Sequence, residues 1–326
     1  MSDGPDHGRM QLLVCKEGVH TYSAADYAAA LETRLPDHEV VHARTREAEE
    51  REIEHAHVVT GPDIDEELLA RAKHLDLFAG AYAGHGHLPL EALAEHGVAV
   101  TNAAGVHAPN VAEHVVGSIL AFARDFREGW RRERDHEWRA YTPGELQGST
   151  VTVVGLGNIG TAIVDRLAPF GVETVGIRAT PEKGGPADTV RGPEGLHDAI
   201  ARTDYLVLAC PLTEATRGLI GAAEFRTLPP HAVLVNVARG PVVDTDALLQ
   251  ALHRNRLGGA ALDVADPEPL PPDHELWQFE NVQLSPHVAG ATPRYYDRLA
   301  DLVAANVERL AAGEPLENLV SVGESD

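Results

Sequence analysis

Short apolar runs alternate with stretches of helical periodicity along the chain, the pattern of βαβ units built on a mostly parallel sheet. QLLVC at 11–15 predicts a strand, 23–34 a helix, EVVHA and HVVTG two strands, 64–73 a helix and LDLFAG another strand. LPLEALAEHG then predicts a helix that ends at a glycine stop signal, before the strand VAVTN. These elements complete one small α/β domain by about residue 105. A long amphipathic stretch, VAEHVVGSILAFARDFREGWRR, follows Pro109, a residue suited to the first turn of a helix. Its continuation to about residue 140 sets Trp130, Trp138 and Tyr141 among charges, which fits either an exposed arm that packs on a second subunit or an ordinary surface helix.

The alternation restarts at 150 with TVTVVGLGNIG, and VETVGI, DYLVLAC, AVLVNVA, GGAALDV and NVQLS predict further strands. Pro181–Gly195, rich in proline and glycine, predicts a loop. The last helical stretch, 293–312, follows every strand, and a single helix left at that end packs most simply back onto the first domain. The expected organisation is therefore a discontinuous first domain, 1–105 with 294–326, around a second domain at 106–293, each a doubly wound parallel sheet.

Composition narrows this picture. With 326 residues, 44% hydrophobic and 24% charged, the chain has enough apolar content for two cores and is not a disordered polymer. No apolar run approaches the roughly 18 residues that span a bilayer. The start, MSDGPDHGRM, has no secretory pattern, so a cytoplasmic protein without membrane contact is expected. Cys15 and Cys210 both lie in apolar runs, as small buried hydrophobes do. Fifty acidic against 27 basic residues give a net charge of −23, a field that repels phosphate backbones and argues against a nucleic-acid partner. Lys16, Lys73 and Lys183 are the only lysines. Acidity with scarce lysine resembles the proteins of salt-accumulating halophiles, whose surface repulsion is screened where the Debye length falls to about 3 Å.

VTVVGLGNIG runs a buried strand into Gly155, Gly157 and Gly160, the G-x-G-x-x-G spacing of a dinucleotide-binding turn. The first glycine permits the tight turn and the second lets the backbone approach a pyrophosphate. The third allows close packing of a helix whose first amides face the anion. At the end of the next strand, where NAD-binding domains place an acid on the ribose, this chain has Arg178, and no carboxylate lies between Glu173 and Glu182. A guanidinium there suits the 2′-phosphate of NADP, with Thr180 and Lys183 as further donors, so NADP(H) is expected in preference to NAD(H).

Three later segments hold a reactive side chain just past an apolar run, where parallel strands place ligands: Arg239 in LVNVARG, Glu268 in ALDVADPEPL and His287 in VQLSPHVAG. With NAAGVHAPNVAEH, the glycine turn and CPLTEATRGLI in the same order, essentially the whole chain resembles the D-isomer-specific 2-hydroxyacid dehydrogenase family. The resemblance implies a Rossmann-type cofactor domain, a smaller flavodoxin-like discontinuous substrate domain and reversible reduction of 2-oxo acids to D-2-hydroxy acids. It implies that Arg239 holds the substrate carboxylate, that His287 is the general acid and base, and that Glu268 hydrogen-bonds the ring. A planar guanidinium suits a carboxylate, which supports the first role independently.

Cofactor contacts implied around the glycine turn are Gly155, Gly157, Asn158, Ile159 and Gly160, followed by Arg178, Ala179 and Thr180. Later ones are Cys210, Pro211, Thr216, Val237, Ala238, His287 and Ala289, with Asp263 at the family position that binds the nicotinamide carboxamide. On the substrate side, AGAYAGHGHLPL matches the loop whose amides, here those of Ala83 and Gly84, grip the carboxylate; Gly86 stands where an aspartate is usual. Tyr82 either lines the side-chain pocket or packs beneath that loop. Closure of the domains would bring this loop onto the substrate, with hinges near 103–110 and 288–295. The family's usual homodimer is expected.

Formate dehydrogenases, similar in sequence, carry glutamine where Glu268 stands. Glyoxylate or hydroxypyruvate reduction stays open, and the rival from another class is a dinucleotide-sensing corepressor-like binding protein, disfavoured by the near absence of a tail. His85 and His87, and His55 and His57, have spacing that could place two ligands together, yet hydride transfer needs no metal and none is expected.

Overall fold

The computed structural model describes residues 8–19 and 22–321 and divides the chain into two compact units, Met1–Val106 with Ala291–Asp326, and His107–Gly290. In the first unit, strands β1 (Gln11–Val14), β2 (Glu39–His42), β3 (Val58–Gly61), β4 (Leu77–Gly80) and β5 (Ala99–Thr101) form a parallel sheet of order 2-1-3-4-5, the flavodoxin-like winding. The central strands β3 and β4 are buried along their whole length, which is why they read as unbroken apolar runs.

Helices α1 (Ala24–Arg34), α2 (Arg46–Glu52), α3 (Glu66–Leu69) and α4 (Leu90–Glu95) connect them. The first three start where Ser23, Thr45 and Asp65 accept hydrogen bonds from first-turn amides. Helix α2 was absent from the sequence expectation, and the helix expected over 64–73 contracts to α3.

The second unit opens with α5 (Ala108–Ala123), α6 (Phe126–Arg134), β6 (Thr150–Val154), α7 (Asn158–Leu167), β7 (Glu173–Ile177) and β8 (Thr189–Arg191). It continues through α8 (Leu196–Ile200), β9 (Tyr205–Leu208), α9 (Ala222–Thr227), β10 (Val233–Asn236), α10 (Thr245–His253), β11 (Gly259–Leu262) and β12 (Val282–Leu284). Its seven strands, all parallel, run 12-11-10-9-6-7-8, so the winding reverses between β6 and β9 beside the glycine turn.

The final helix, α11 (Tyr295–Ala312), belongs to the first unit. It buries Tyr295, Leu299, Val303 and Val307, the Tyr296 hydroxyl accepts from the Val19 amide at 2.8 Å, and Gly313 ends the helix in a left-handed conformation (φ 66°).

Two expectations for the second unit are corrected. The amphipathic stretch after Pro109 is two helices, because Asp125 turns left-handed (φ 49°) between α5, which buries Val111, Val115 and Ile119, and α6, which buries nothing. The Arg127 guanidinium of α6 donates to the carbonyl of Val282 on the edge strand β12. Pro181–Gly195 is not wholly loop: Thr189–Arg191 adds to β7 as the other edge strand, too short and half-buried to show an alternation.

Candidate active site

Every strand of the second unit contributes its carboxyl end to one edge of the sheet. At the end of β6, Gly155 adopts φ 97°, and a side chain there would press on the backbone of Ala209 and Cys210 at 2.7 Å. A Cβ on Gly160 would overlap the Gly155 carbonyl, so that glycine seats α7 against the turn. Gly157 faces open space, and α7 begins beside it with no side-chain cap on its first amides. A concave turn with uncapped helix amides fits the pyrophosphate of a dinucleotide. Asn158 and Ile159 form the first turn of α7.

Past β7, the half-buried Arg178 donates from Nη1 to the Gly184 carbonyl at 2.6 Å, beside exposed Ala179 and half-buried Thr180. Past β9, burial pushes the Cys210 thiol up, and Thr216 donates its hydroxyl to the Pro211 carbonyl at 2.6 Å, closing that loop on itself. Cys15, also free and buried, is pushed up to about 12, chiefly by burial.

Arg239, Glu268 and His287 stand just past β10, β11 and β12, three strands that lie side by side. The Nδ1 atom of His287 is 3.0 Å from Oε2 of Glu268, while Oε1 of Glu268 accepts from the Ala265 amide at 2.8 Å. A carboxylate can only accept, so Nδ1 carries its proton and Nε2 is the nitrogen turned away from Glu268. Arg239 is exposed and donates to the Ala238 carbonyl at 2.7 Å, and its guanidinium forms no hydrogen bond or ion pair with the other two. Asn236, buried in β10 before Val237 and Ala238, pins that turn by accepting from the Ala238 amide at 3.0 Å and donating to the Arg239 carbonyl at 3.2 Å.

His287 has φ 53°, a left-handed conformation that a non-glycine residue keeps only when its surroundings enforce it. Asp263, 4% exposed, supplies the enforcement. Its Oδ1 accepts from the Ser285 hydroxyl at 2.6 Å and the Val288 amide at 3.0 Å, its Oδ2 from the Ala289 amide at 2.9 Å. Its carbonyl accepts from the His287 amide at 2.8 Å. From α5, the Asn110 amide donates to the Ala289 carbonyl at 2.6 Å, and His114 lies 3.9 Å from the Asp263 carboxylate. Sequence reasoning missed Asn110, His114, Asn236 and Ser285. Asn236 alone had a local signal, a polar residue inside an apolar strand.

Beside Glu268 and His287 runs a cavity of about 590 Å³ walled mainly by Leu262, Val264, Leu270, Trp277 and Leu284. In the first unit, Tyr82, Ala83 and Gly84 follow β4; Tyr82 packs on the core, and the Ala83 carbonyl accepts from Asn102 at 2.7 Å. Among the described residues no cluster of three or more histidine, cysteine or carboxylate side chains could hold a metal, and no helix is long and apolar enough to cross a membrane.

A doubly wound sheet with a phosphate cradle at its switch point and an imidazole–carboxylate pair at the same edge defines a dinucleotide-dependent oxidoreductase. Residues 116–289 match the family model described as D-isomer specific 2-hydroxyacid dehydrogenase, NAD binding domain. A glyoxylate reductase of Thermofilum pendens is 38% identical over 267 residues, 79% of this chain and 78% of its own. The structure of a D-isomer specific 2-hydroxyacid dehydrogenase from Xanthobacter autotrophicus Py2, in complex with NADPH and MES, is similar with a TM-score of 0.76 at 29% identity, covering 96% of this chain and 98% of that one. An NADPH-dependent glyoxylate/hydroxypyruvate reductase from Sinorhizobium meliloti, in complex with NADP and sulfate, gives 0.75 at 27% identity, covering 96% and 98%. The chain belongs to the D-isomer specific 2-hydroxyacid dehydrogenase family. It is an NAD(P)-dependent oxidoreductase acting on CH–OH groups.

Proposed function

We propose that the protein reduces 2-oxo acids to D-2-hydroxy acids with NADPH, and runs the reverse oxidation by the same groups. The observation that carries this reading is the His287 Nδ1 to Glu268 Oε2 contact of 3.0 Å, with Glu268 itself tied to the Ala265 amide. Bound in the Gly155–Gly160 turn, the dinucleotide supplies the hydride. The Arg239 guanidinium takes the substrate carboxylate and polarises the neighbouring carbonyl. His287 passes the proton on Nε2 to the developing alkoxide, while Glu268 keeps the ring oriented and offsets the charge of the imidazolium. In the oxidation direction Nε2 receives the proton of the hydroxyl. The amides of Ala83 and Gly84 are the carboxylate donors proposed for the first unit, with Tyr82 beside them.

Arg178 supports NADP(H) over NAD(H), since a guanidinium beside the exposed Ala179 pairs with a 2′-phosphate and no carboxylate in that turn takes the ribose hydroxyls. The remaining cofactor contacts fall to Thr180, Cys210, Pro211, Thr216, Val237, Ala238, Asp263 and Ala289. The purified protein is expected to oxidise NADPH with at least one of pyruvate, 2-oxobutyrate, 2-oxoisocaproate, glyoxylate and hydroxypyruvate, followed by absorbance of the reduced nicotinamide. The last two acids belong in the panel because relatives at this identity bear the name glyoxylate reductase. Equal efficiency with NADH would remove the Arg178 argument. No turnover with any acid would favour the dinucleotide-sensing, corepressor-like reading.

A homodimer is proposed from the second unit, where Trp130 is half-exposed and Trp138 fully exposed on and after α6. Size-exclusion chromatography with light scattering is expected to give twice the 34.9 kDa chain mass. Trp138→Ser should shift the profile toward the monomer.

The two free, buried cysteines fit a reducing cytoplasm, and the net charge of −23 fits one rich in salt. Thermal unfolding in rising KCl tests the latter: the midpoint should climb toward molar salt as carboxylate repulsion is screened. A flat or falling curve contradicts a halophilic surface.

A further inference from the structure

We infer that a cleft between α9 and α10 binds a phosphate group, free or esterified, apart from the dinucleotide site. The cleft, about 120 Å³ in volume, has a floor of Phe225 and small alanines and carries Arg226, Arg254 and Arg256 on its walls. No carboxylate lines it, in a chain with 50 acidic residues. Among the described residues, none of the three guanidiniums makes an ion pair or a side-chain hydrogen bond, whereas Arg34, Arg46 and Arg131 each hold two or more carboxylates.

The backbone prepares this arrangement. Asn255 turns left-handed (φ 52°) after α10, with its amide on the Leu252 carbonyl at 3.0 Å and the Arg256 amide on the Ala251 carbonyl at 2.8 Å. This pair of bonds is a Schellman turn, and it places Arg254 and Arg256 on either side of one reversed residue, both lining the cleft. Cations at helix ends complement the helix dipole, which accounts for Arg226 and Arg254 one helix at a time. It does not account for Arg256, which lies beyond the helix, or for the absence of any carboxylate.

Three like charges around so small a space repel one another unless a counter-ion joins them. A tetrahedral dianion offers several oxygen edges to several planar forks, where a carboxylate offers one. The cleft runs along α10 from Ala247, but its guanidiniums gather at the carboxyl end, with Arg254 and Arg256 past the last turn of α10 and Arg226 in the last turn of α9. Arg239 precedes the start of α10, so an anion held by the three leaves the catalytic edge free.

Inorganic phosphate and glycerol phosphate, titrated into the full-length protein at constant ionic strength with chloride as balance, test the site through the thermal midpoint and calorimetry. Both ions should raise the midpoint above its value in chloride of the same ionic strength, and the tighter of the two names the source. Arg256→Gln should weaken binding about tenfold, the loss of one charged hydrogen-bonding group. The triple variant R226Q/R254Q/R256Q should abolish binding while NADPH-dependent turnover persists. Because Arg256 lies outside any helix, its single variant keeps the test valid even where the triple variant fails to fold. An equal phosphate response in the parent and Arg256→Gln, or a midpoint in phosphate no higher than in chloride of the same ionic strength, overturns the proposal.

Discussion

His287→Asn is expected to lower kcat by about 10²- to 10⁴-fold, the usual contribution of a positioned general acid, with dinucleotide affinity nearly unchanged. Asparagine is the informative replacement because it accepts the left-handed backbone that His287 adopts at φ 53°, whereas most side chains would add strain and blur the result. The surrounding turn keeps its amide bonds to Asp263, so the loss reads proton transfer rather than a collapsed loop. Steady-state kinetics in both directions, with dinucleotide binding by fluorescence titration, separates the two. Unimpaired turnover in either direction would exclude His287 as the proton carrier. Glu268→Gln serves as the companion: its one amide oxygen accepts from the Ala265 amide while its NH2 turns to Nδ1, so the ring loses both its acceptor and the charge that offsets an imidazolium, and kcat should fall, though by less than in His287→Asn.

Much of the fold was legible because its strands are buried on both faces, and continuous apolar runs such as VVTG and LFAG announce themselves. The discontinuous first unit was legible for a different reason, a lone terminal helix with nowhere else to bury Tyr295 and Leu299. Helix α2 was not, since REAEERE has no apolar period; it forms on the Thr45 cap, and its inward Glu49 accepts from the Lys16 amide at 2.8 Å. The break at Asp125 carries neither glycine nor proline. It follows from the different demands on α5, held in the core, and α6, tethered by Arg127 to an edge strand. At the site, each reactive side chain follows its own strand and could be read locally. Their positioning could not, because partners 22 to 26 residues apart meet only when β11 and β12 pair.

That dependence on pairing makes Asp263 the second large effect. Asp263→Ala should lower kcat by at least about tenfold and destabilise the second unit by about 2 to 4 kcal/mol, since two backbone amides and a hydroxyl lose their acceptor in a buried setting where each unsatisfied group costs about 1–3 kcal/mol. The range stays below the full sum because solvent and local relaxation recover part of it. Asparagine does little better: an amide has one accepting oxygen, and its NH2 would face either the Val288 or the Ala289 amide, donor against donor. Without the bracket, the left-handed residue at 287 relaxes and its Nε2 leaves the line set by Glu268. Urea unfolding and steady-state kinetics on the same variant check both halves. The family role expected for Asp263, a contact to the nicotinamide carboxamide, predicts another outcome: a raised KM for the dinucleotide with stability untouched. Both carboxylate oxygens are already engaged within the protein, which favours the loss of stability and of kcat together. A variant as stable as the parent and impaired only in dinucleotide KM would remove the bracket and leave the carboxamide contact as the whole of its role.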